Sequence, residues 1–310
     1  MNTPSDAVSR SAVDSQSAAP GVSTRTRPLF WSIHRELWEN RSIYLAPLIV
    51  SGVVVLGFVI GGFTLPRRMH AAMALDPAKQ GQAIATPYEF AAGALMLTQI
   101  LVGVFYALDA LYGERRDRSI FFWKSLPVSD WTAVLAKATI PIFVVPLLTF
   151  AITVGTQWIM LLLSAAFLQG SGLSVGELWT RLQFFDRSMM LLYHLVTVHG
   201  LSHAPVYGWL LLVSAWARRA PLLWALLPPL AIGFVEKIAF NTTHFAHVIG
   251  ERLAGGAEAV PMGPGRFPID PGMHVTPGRF LASPGLWFGL FLTALFLAGA
   301  VRLRRERGPI

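Results

Sequence analysis

The sequence has no cysteine and few charged residues. Without cysteine the chain has no disulfide, no catalytic thiolate and no thiolate metal ligand. Asp, Glu, Lys and Arg make up 14% of the residues, whereas soluble domains carry roughly 25%. Because 54% of the residues are hydrophobic, we expect much of the surface to face lipid.

Two motifs that carry common chemistry are also missing. The P-loop pattern GxxxxGK[ST] does not occur, because none of the lysines follows the glycine that this motif requires. The zinc-protease pattern HExxH is absent as well. We therefore expect a chain that is not an enzyme, hydrolyses no ATP by itself and binds no cofactor or metal of its own.

The chain begins with residues 1–28, which are rich in Ser, Thr and Ala and have no apolar core. They do not resemble a secretory signal, and we expect a disordered cytoplasmic tail. Residues 29–44 follow with an aromatic side and a polar side. We predict a helix in the headgroup layer, and the alternative is an early turn of the first span. Its key residues are Trp31, Arg35, Glu36, Trp38 and Glu39.

Apolar segments long enough to cross a bilayer dominate the rest of the chain. The predicted fold is an all-α polytopic membrane protein with six transmembrane helices, forming one domain over 29–303. The spans are placed at 43–63, 88–111, 132–168, 189–216, 222–240 and 285–301. Residues 241–284 form a long loop rich in Gly and Pro, which either caps an exit path or is a spacer. A basic tail, 304–310, ends the chain.

The basic residues predict the orientation. With both termini in the cytoplasm, the inner segments hold most of the Lys and Arg residues, as the positive-inside rule requires. Topology thus accounts for the net charge of +8, and no nucleic-acid partner is expected. Charges within the spans are rare, which argues against an ion-coupled carrier. His194, His199 and His203 have no adjacent carboxylate, so we interpret them as cavity-lining or interfacial residues rather than metal ligands.

The most charged stretch between the first and last spans is 109–131, and it resembles a known motif. Glu114 and Arg115, an apolar pair at Ile120 and Phe121, and then 126–129, reading LPVS, precede Lys137 in the next helix. This order is similar to the cytoplasmic loop of permeases in the ABC-2 (type-2 ABC exporter) family. The segments RELWENRSIYLAP and LLVSAWARRAPLLWALLPP fit the same family.

The resemblance implies a permease subunit of an ATP-driven exporter in the bacterial inner membrane, where it would be a multi-pass protein surrounded by lipid. ATP and Mg²⁺ would bind to a separate ABC ATPase subunit, and a second permease subunit would complete a homodimer or heterodimer. The loop would carry a coupling helix with an apolar docking surface, charge pairs that orient it, and a helix end at Leu126 and Pro127. These ATPase-coupling residues are Glu114, Arg115, Asp117, Arg118, Ile120, Phe121, Phe122, Trp123, Leu126 and Pro127.

Other interpretations stay open from the sequence. The arginines of 109–131 would also be explained by topology alone. A polytopic membrane enzyme using His199, His203 and Glu236, or a scaffold that recruits an ATPase without transport, would have the same apolar layout. Lipid, peptide, polysaccharide and drug exporters fit the pattern equally.

Overall fold

The computed structural model describes residues 27–125, 128–169, 175–254 and 277–308. These residues form helices and turns and contain no strand, so the predicted all-α class is confirmed. The helices are α1 (Pro28–Glu39), α2 (Ser42–Gly62), α3 (Leu65–Met73), α4 (Pro77–Asp109), α5 (Tyr112–Arg116), α6 (Ile120–Ser125), α7 (Asp130–Thr139), α8 (Val145–Leu168), α9 (Val175–Leu182), α10 (Phe184–His194), α11 (Ala204–Trp216), α12 (Pro221–Phe240), α13 (His244–Ala254), α14 (Pro277–Ala282) and α15 (Pro284–Glu306). Two π-helical segments, Ile140–Val144 and Leu195–Ser202, join α7 to α8 and α10 to α11.

Five helical stretches of the described chain are long and apolar enough to cross a membrane: Ser42–Gly62, Lys79–Arg116, Asp130–Leu168, Pro221–Phe240 and Pro284–Glu306. A multi-pass membrane protein is therefore the right architecture. The segment predicted as the fourth span is divided into α10, a π-helical segment and α11. The apolar helix α11 is shorter than the roughly 20 residues that a straight span needs.

Two predicted segments have different bounds in the structure. The first helix ends at Glu39, not at 44, because the Asn40 side-chain amide donates to the Glu36 carbonyl (3.0 Å) and α2 begins at Ser42. The long loop 241–284 contains the helices α13 and α14, and its residues 255–276 lie outside the described part. The tail 1–28 is described only at residues 27 and 28.

The main apolar core joins the ends of four helices. Leu108 of α4, Val134 of α7, Leu211 of α11 and Val301 of α15 are all buried in one cluster. Gly208 brings α11 close to α15, since a Cβ there would lie 3.4 Å from the Thr293 Cα. This packing places the last turns of α4, α11 and α15 beside the first turns of α7.

Both ends of the described chain reach this same end of the bundle. Arg35 of α1 lies 3.6 Å from one carboxylate oxygen of Glu114, and Arg304 of α15 lies 3.3 Å from the other. The N-terminal helix and the C-terminal helix therefore meet at one residue of α5.

Candidate functional site

Charged side chains from four helices and one tyrosine converge where the chain ends meet, and we call them the ionic cluster. They come from α1, α5, α7 and α15, with a tyrosine from α4. The members are Arg35, Glu36, Tyr106, Glu114, Asp130, Lys137 and Arg304.

Lys137 lies at the centre of the ionic cluster. Its ammonium group is 2.8 Å from Glu36 Oε1 and 3.1 Å from Glu114 Oε1, and the residue is only 2% exposed. The Tyr106 hydroxyl donates to the other oxygen of Glu36 at 2.9 Å. Removing such charges from water is unfavourable unless each finds partners of opposite sign. The contacts of Lys137 therefore tie α7 to both α1 and α5.

The pKa of Glu36 reflects this setting. Burial raises the pKa of the Glu36 carboxyl, but the charges of Lys137 and Arg35 and the hydrogen bonds from Lys137 and Tyr106 outweigh burial. The net result is a pKa below the ordinary value of 4.5. Glu36 is therefore ionised at neutral pH, although it is 1% exposed.

Arg304 attaches the last helix to the same cluster. It is ion-paired with Asp130 at the start of α7 and with Glu114 of α5. Ser129 caps α7, because its hydroxyl accepts a hydrogen bond from the Thr132 N–H at 3.1 Å. Ser and Asp are both common at this position, and Ser129 and Asp130 are adjacent. The cap is Ser129, and Asp130 is instead a partner of Arg304.

Arg115 does not pair with a carboxylate but forms hydrogen bonds with backbone carbonyl groups at the end of α11 and just after it. Its guanidinium donates to the carbonyl oxygens of Ser214 (2.9 Å) and Ala217, and the residue is 3% exposed. The Ser214 hydroxyl accepts hydrogen bonds from the N–H groups of Leu111 (3.0 Å) and Tyr112 (2.9 Å). The segment between α4 and α6 is thus anchored to α11 through hydrogen bonds.

Helix α6 has an inner side and an outer side. Ile120 is buried, and the Arg35 guanidinium lies 3.8 Å above the ring of Trp123. Phe121 and Phe122 point outward and are 63% and 60% exposed. Large aromatic side chains at that exposure on a short charged segment form a surface suited to a partner.

The remaining predicted coupling residues lie apart from the ionic cluster. Asp117 is exposed and pairs with Arg116 (2.9 Å). Arg118 is exposed and has a φ of 58°, in the left-handed region that turns the chain from α5 into α6. Leu126 and Pro127, predicted to end the coupling helix, lie outside the described residues.

Helix α1 turns its aromatic side away from the protein. Trp31 and Trp38 are 63% and 71% exposed, which suits tryptophan in an interfacial layer. On the polar side Glu36 is buried, whereas Glu39 stays exposed and lies 3.6 Å from Arg35. Ile33 and Leu37 also pack against buried residues of the bundle, so the buried side of α1 combines apolar and polar residues.

The three histidines lie together in the interior. The ring of His199 is 5.4 Å from that of His194 and 5.5 Å from that of His203, centre to centre, and all three are buried. The ring nitrogens of His203 lie 2.6 Å from the Val198 carbonyl and 3.1 Å from the Leu253 carbonyl. Among the residues described, no group of three or more His, Cys, Asp or Glu could hold a metal ion.

The sequence also contains a GxSxG spacing, at residues 172–176. In hydrolases that carry a nucleophile elbow, this serine follows a strand and precedes a helix. Here the preceding described element is the helix α8, which ends at Leu168, and α9 begins at Val175. Residues 172–174 lie outside the described part of the chain.

Sequence reasoning also missed Tyr106, Asp130 and Arg304 as members of one site. The available signal was that each lies near the end of an apolar segment, where an isolated charge or hydroxyl needs a partner. Comparison of the chain with protein-family models, with curated proteins and with solved structures gave no match. The site is therefore interpreted from its own geometry.

Proposed function

We propose that this chain is the membrane-spanning permease subunit of an ATP-driven exporter of the ABC-2 type. The observation that carries the proposal is the construction of α6, which exposes Phe121 and Phe122 while Trp123 packs under Arg35. A soluble subunit that binds these phenylalanines would push on a helix already joined to α1.

The ionic cluster would pass that push to the spans. Arg35 lies within 3.6 Å of Glu114, which in turn contacts Lys137 at the start of the third long span and Arg304 at the end of the last. Paired, buried charges have few alternative positions, because separating them leaves a charge without a partner. The helices that share the cluster would therefore move as one unit when α6 moves.

The energy for transport would come from a separate ATPase subunit that binds ATP and Mg²⁺. This part of the proposal is supported by the missing P-loop. It is also supported by the ionic cluster, in which the described charges pair with each other. Charges paired in this way suit a role in connecting helices better than a role in carrying protons. A second permease subunit and the lipid of a bacterial inner membrane would complete the assembly.

We further propose six crossings with both termini in the cytoplasm. The contacts of Arg35 and Arg304 with the same Glu114 support an even number of crossings, because both chain ends then lie on one side. Five long spans are present, so the sixth crossing would be Phe184–Trp216, through α10, the π-helical segment and α11. The excess of basic residues on that side favours the cytoplasm.

Copurification tests the proposal. The wild-type chain, purified from its native membrane in mild detergent, should bring down an ABC ATPase, and Phe122→Asp should lose it. Phe185→Asp is the matched control, since Phe185 is 71% exposed on α10, at the opposite end of the bundle. Absence of an ATPase with the wild-type chain, or its equal loss in both variants, would contradict the proposal. An ATPase whose hydrolysis does not respond to the permease would indicate a scaffold.

A further inference from the structure

Three buried polar side chains in the interior of the bundle carry atoms that have no hydrogen-bond partner among the described residues. Gln99 is 0% exposed, and neither its side-chain amide nitrogen nor its side-chain amide oxygen forms a hydrogen bond. The hydroxyl of Thr149, a residue that is also 0% exposed, has no hydrogen-bond partner. The Nδ1 atom of His199 has none either. Buried polar atoms in folded proteins nearly always have a partner, so atoms without one call for an explanation such as an ordered water molecule.

Residues close in sequence to the three side chains share one apolar cluster, which contains Met96 and Leu195 with Phe150 packed against it. Gln99 follows Met96 by three residues and His199 follows Leu195 by four, which places each pair on one side of its helix. Thr149 directly precedes Phe150. Since α8 runs opposite to the other two segments, all three polar residues lie beyond the cluster in the direction of the ionic cluster.

Thr149 differs from the other hydroxyl residues of α8. The hydroxyls of Thr153, Thr156 and Ser164 each donate to the carbonyl four residues earlier, at 2.7, 2.6 and 2.9 Å. This bond is the usual way for a hydroxyl in an apolar helix to satisfy itself. The Thr149 hydroxyl makes neither this hydrogen bond nor another one to the described residues.

The backbone beside His199 is also irregular. His199 lies in a π-helical segment, and such segments often occur at functional sites. Its neighbour Gly200 contacts the other π-helical segment, because a Cβ there would lie only 2.7 Å from the Ile142 carbonyl oxygen. The two π-helical segments are therefore in close contact next to His199.

We propose that Gln99, Thr149 and His199 form a hydrated site in the interior of the membrane domain, reached from the aqueous phase. An amide, a hydroxyl and a neutral imidazole offer hydrogen-bond donors and acceptors but no charge, which suits water, a donor and acceptor at once, better than an ion. The inference does not depend on the ATPase partner, since hydration of the site requires only this chain.

The absence of native cysteine makes the site directly testable. Gln99→Cys, Thr149→Cys and His199→Cys are reconstituted singly in lipid nanodiscs and treated with the small, water-soluble cation 2-aminoethyl methanethiosulfonate. Intact-protein mass spectrometry then gives the labelling rate. Hydrated thiols should react about tenfold or more faster than thiols in apolar packing, because only the thiolate reacts and apolar surroundings suppress it.

Two positions on α4 serve as controls. Leu95→Cys reports on tight packing, since Leu95 is 0% exposed, and Leu97→Cys reports on entry through lipid, since Leu97 is 59% exposed. Labelling of the three site variants faster than both controls is the expected result. The proposal is overturned if Thr149→Cys or Gln99→Cys reacts no faster than the faster of the two controls. Thr149→Cys, a small change in volume, keeps the test valid if Gln99→Cys does not fold.

Discussion

Lys137 is the residue whose loss should affect the fold most. It contacts Glu36 at 2.8 Å and Glu114 at 3.1 Å in a place closed to water. Removing the ammonium group would take one positively charged partner from each carboxylate, although Glu36 would keep Arg35 (2.7 Å) and Glu114 would keep Arg304 (3.3 Å). Breaking a buried pair in this way costs far more than breaking an exposed one.

We therefore predict that Lys137→Met lowers the free energy of unfolding by about 3–5 kcal/mol. Lys124→Met is the matched control, because Lys124 is exposed and only its long contact with the Arg305 carbonyl (3.5 Å) would be lost. This control should stay within about 0.5 kcal/mol of wild type. Thermal unfolding of the detergent-solubilised variants measures both, and similar melting temperatures for the two would refute the central role of Lys137.

Glu36 should make the fold sensitive to acid. Its pKa is below the ordinary 4.5, so the unfolded chain binds this proton more readily than the folded chain does. The stability that Glu36 provides is complete above pH 4.5 and is lost as the pH falls toward the folded pKa. Glu36→Gln should accordingly show a flatter decline of melting temperature below pH 4.5 than wild type.

The neighbouring Glu39 provides the control for this pH dependence. It is half-exposed, and burial raises the pKa of its carboxyl despite the charge of Arg35. Glu39→Gln should leave the acid sensitivity of the wild type in place. Equal acid sensitivity of wild type and Glu36→Gln would show that Glu36 is not the group responsible.

At the scale of helices, α1 and α6 are joined through the contact between Arg35 and Trp123. A double-mutant cycle of Arg35→Ala and Trp123→Ala should give a coupling energy of about 0.5–2 kcal/mol, as expected for a guanidinium over an indole. The same cycle with Phe121→Ala, on an exposed residue of α6, should give a coupling near zero. Equal couplings would mean that Arg35 does not act through Trp123.

The contact between the two π-helical segments gives a second prediction for helices. Gly200→Ala would place a methyl group 2.7 Å from the Ile142 carbonyl oxygen, and a backbone atom has little room to move away. We expect a loss of about 1–3 kcal/mol in unfolding free energy. Gly155→Ala, in open surroundings on α8, should be neutral or stabilising. Similar melting temperatures for the two variants would contradict this account.

For the whole molecule, the proposed even number of crossings predicts which positions face outside. A membrane-impermeant maleimide applied to intact cells should label Asn241→Cys, after α12, but not Ser125→Cys or Gly308→Cys. All three residues are exposed, so permeabilised cells should show all three labelled. Labelling of Gly308→Cys but not Ser125→Cys in intact cells would place the chain ends on different sides and rule out six crossings.

The sequence predicted helices better than it predicted contacts. The aromatic and polar sides of α1, the long apolar spans and the position of the charged segment 109–131 are all readable from local patterns. The pairing of Glu36 with Lys137 joins residues separated by 101 positions, and no local pattern reports such a distance. Trp123 shows the same limit, because the run of aromatic residues looks uniform in sequence but only Trp123 lies under Arg35.

What the sequence determines by itself is that the chain is helical and membrane-spanning. Apolar segments of this length satisfy their backbone hydrogen bonds internally as helices, whatever their neighbours are. Only the tertiary structure decides which charges are buried in pairs and which aromatic side chains stay exposed. That outcome depends on how separate helices pack, because a charge such as Lys137 is stable in the interior only where Glu36 and Glu114 are brought to it.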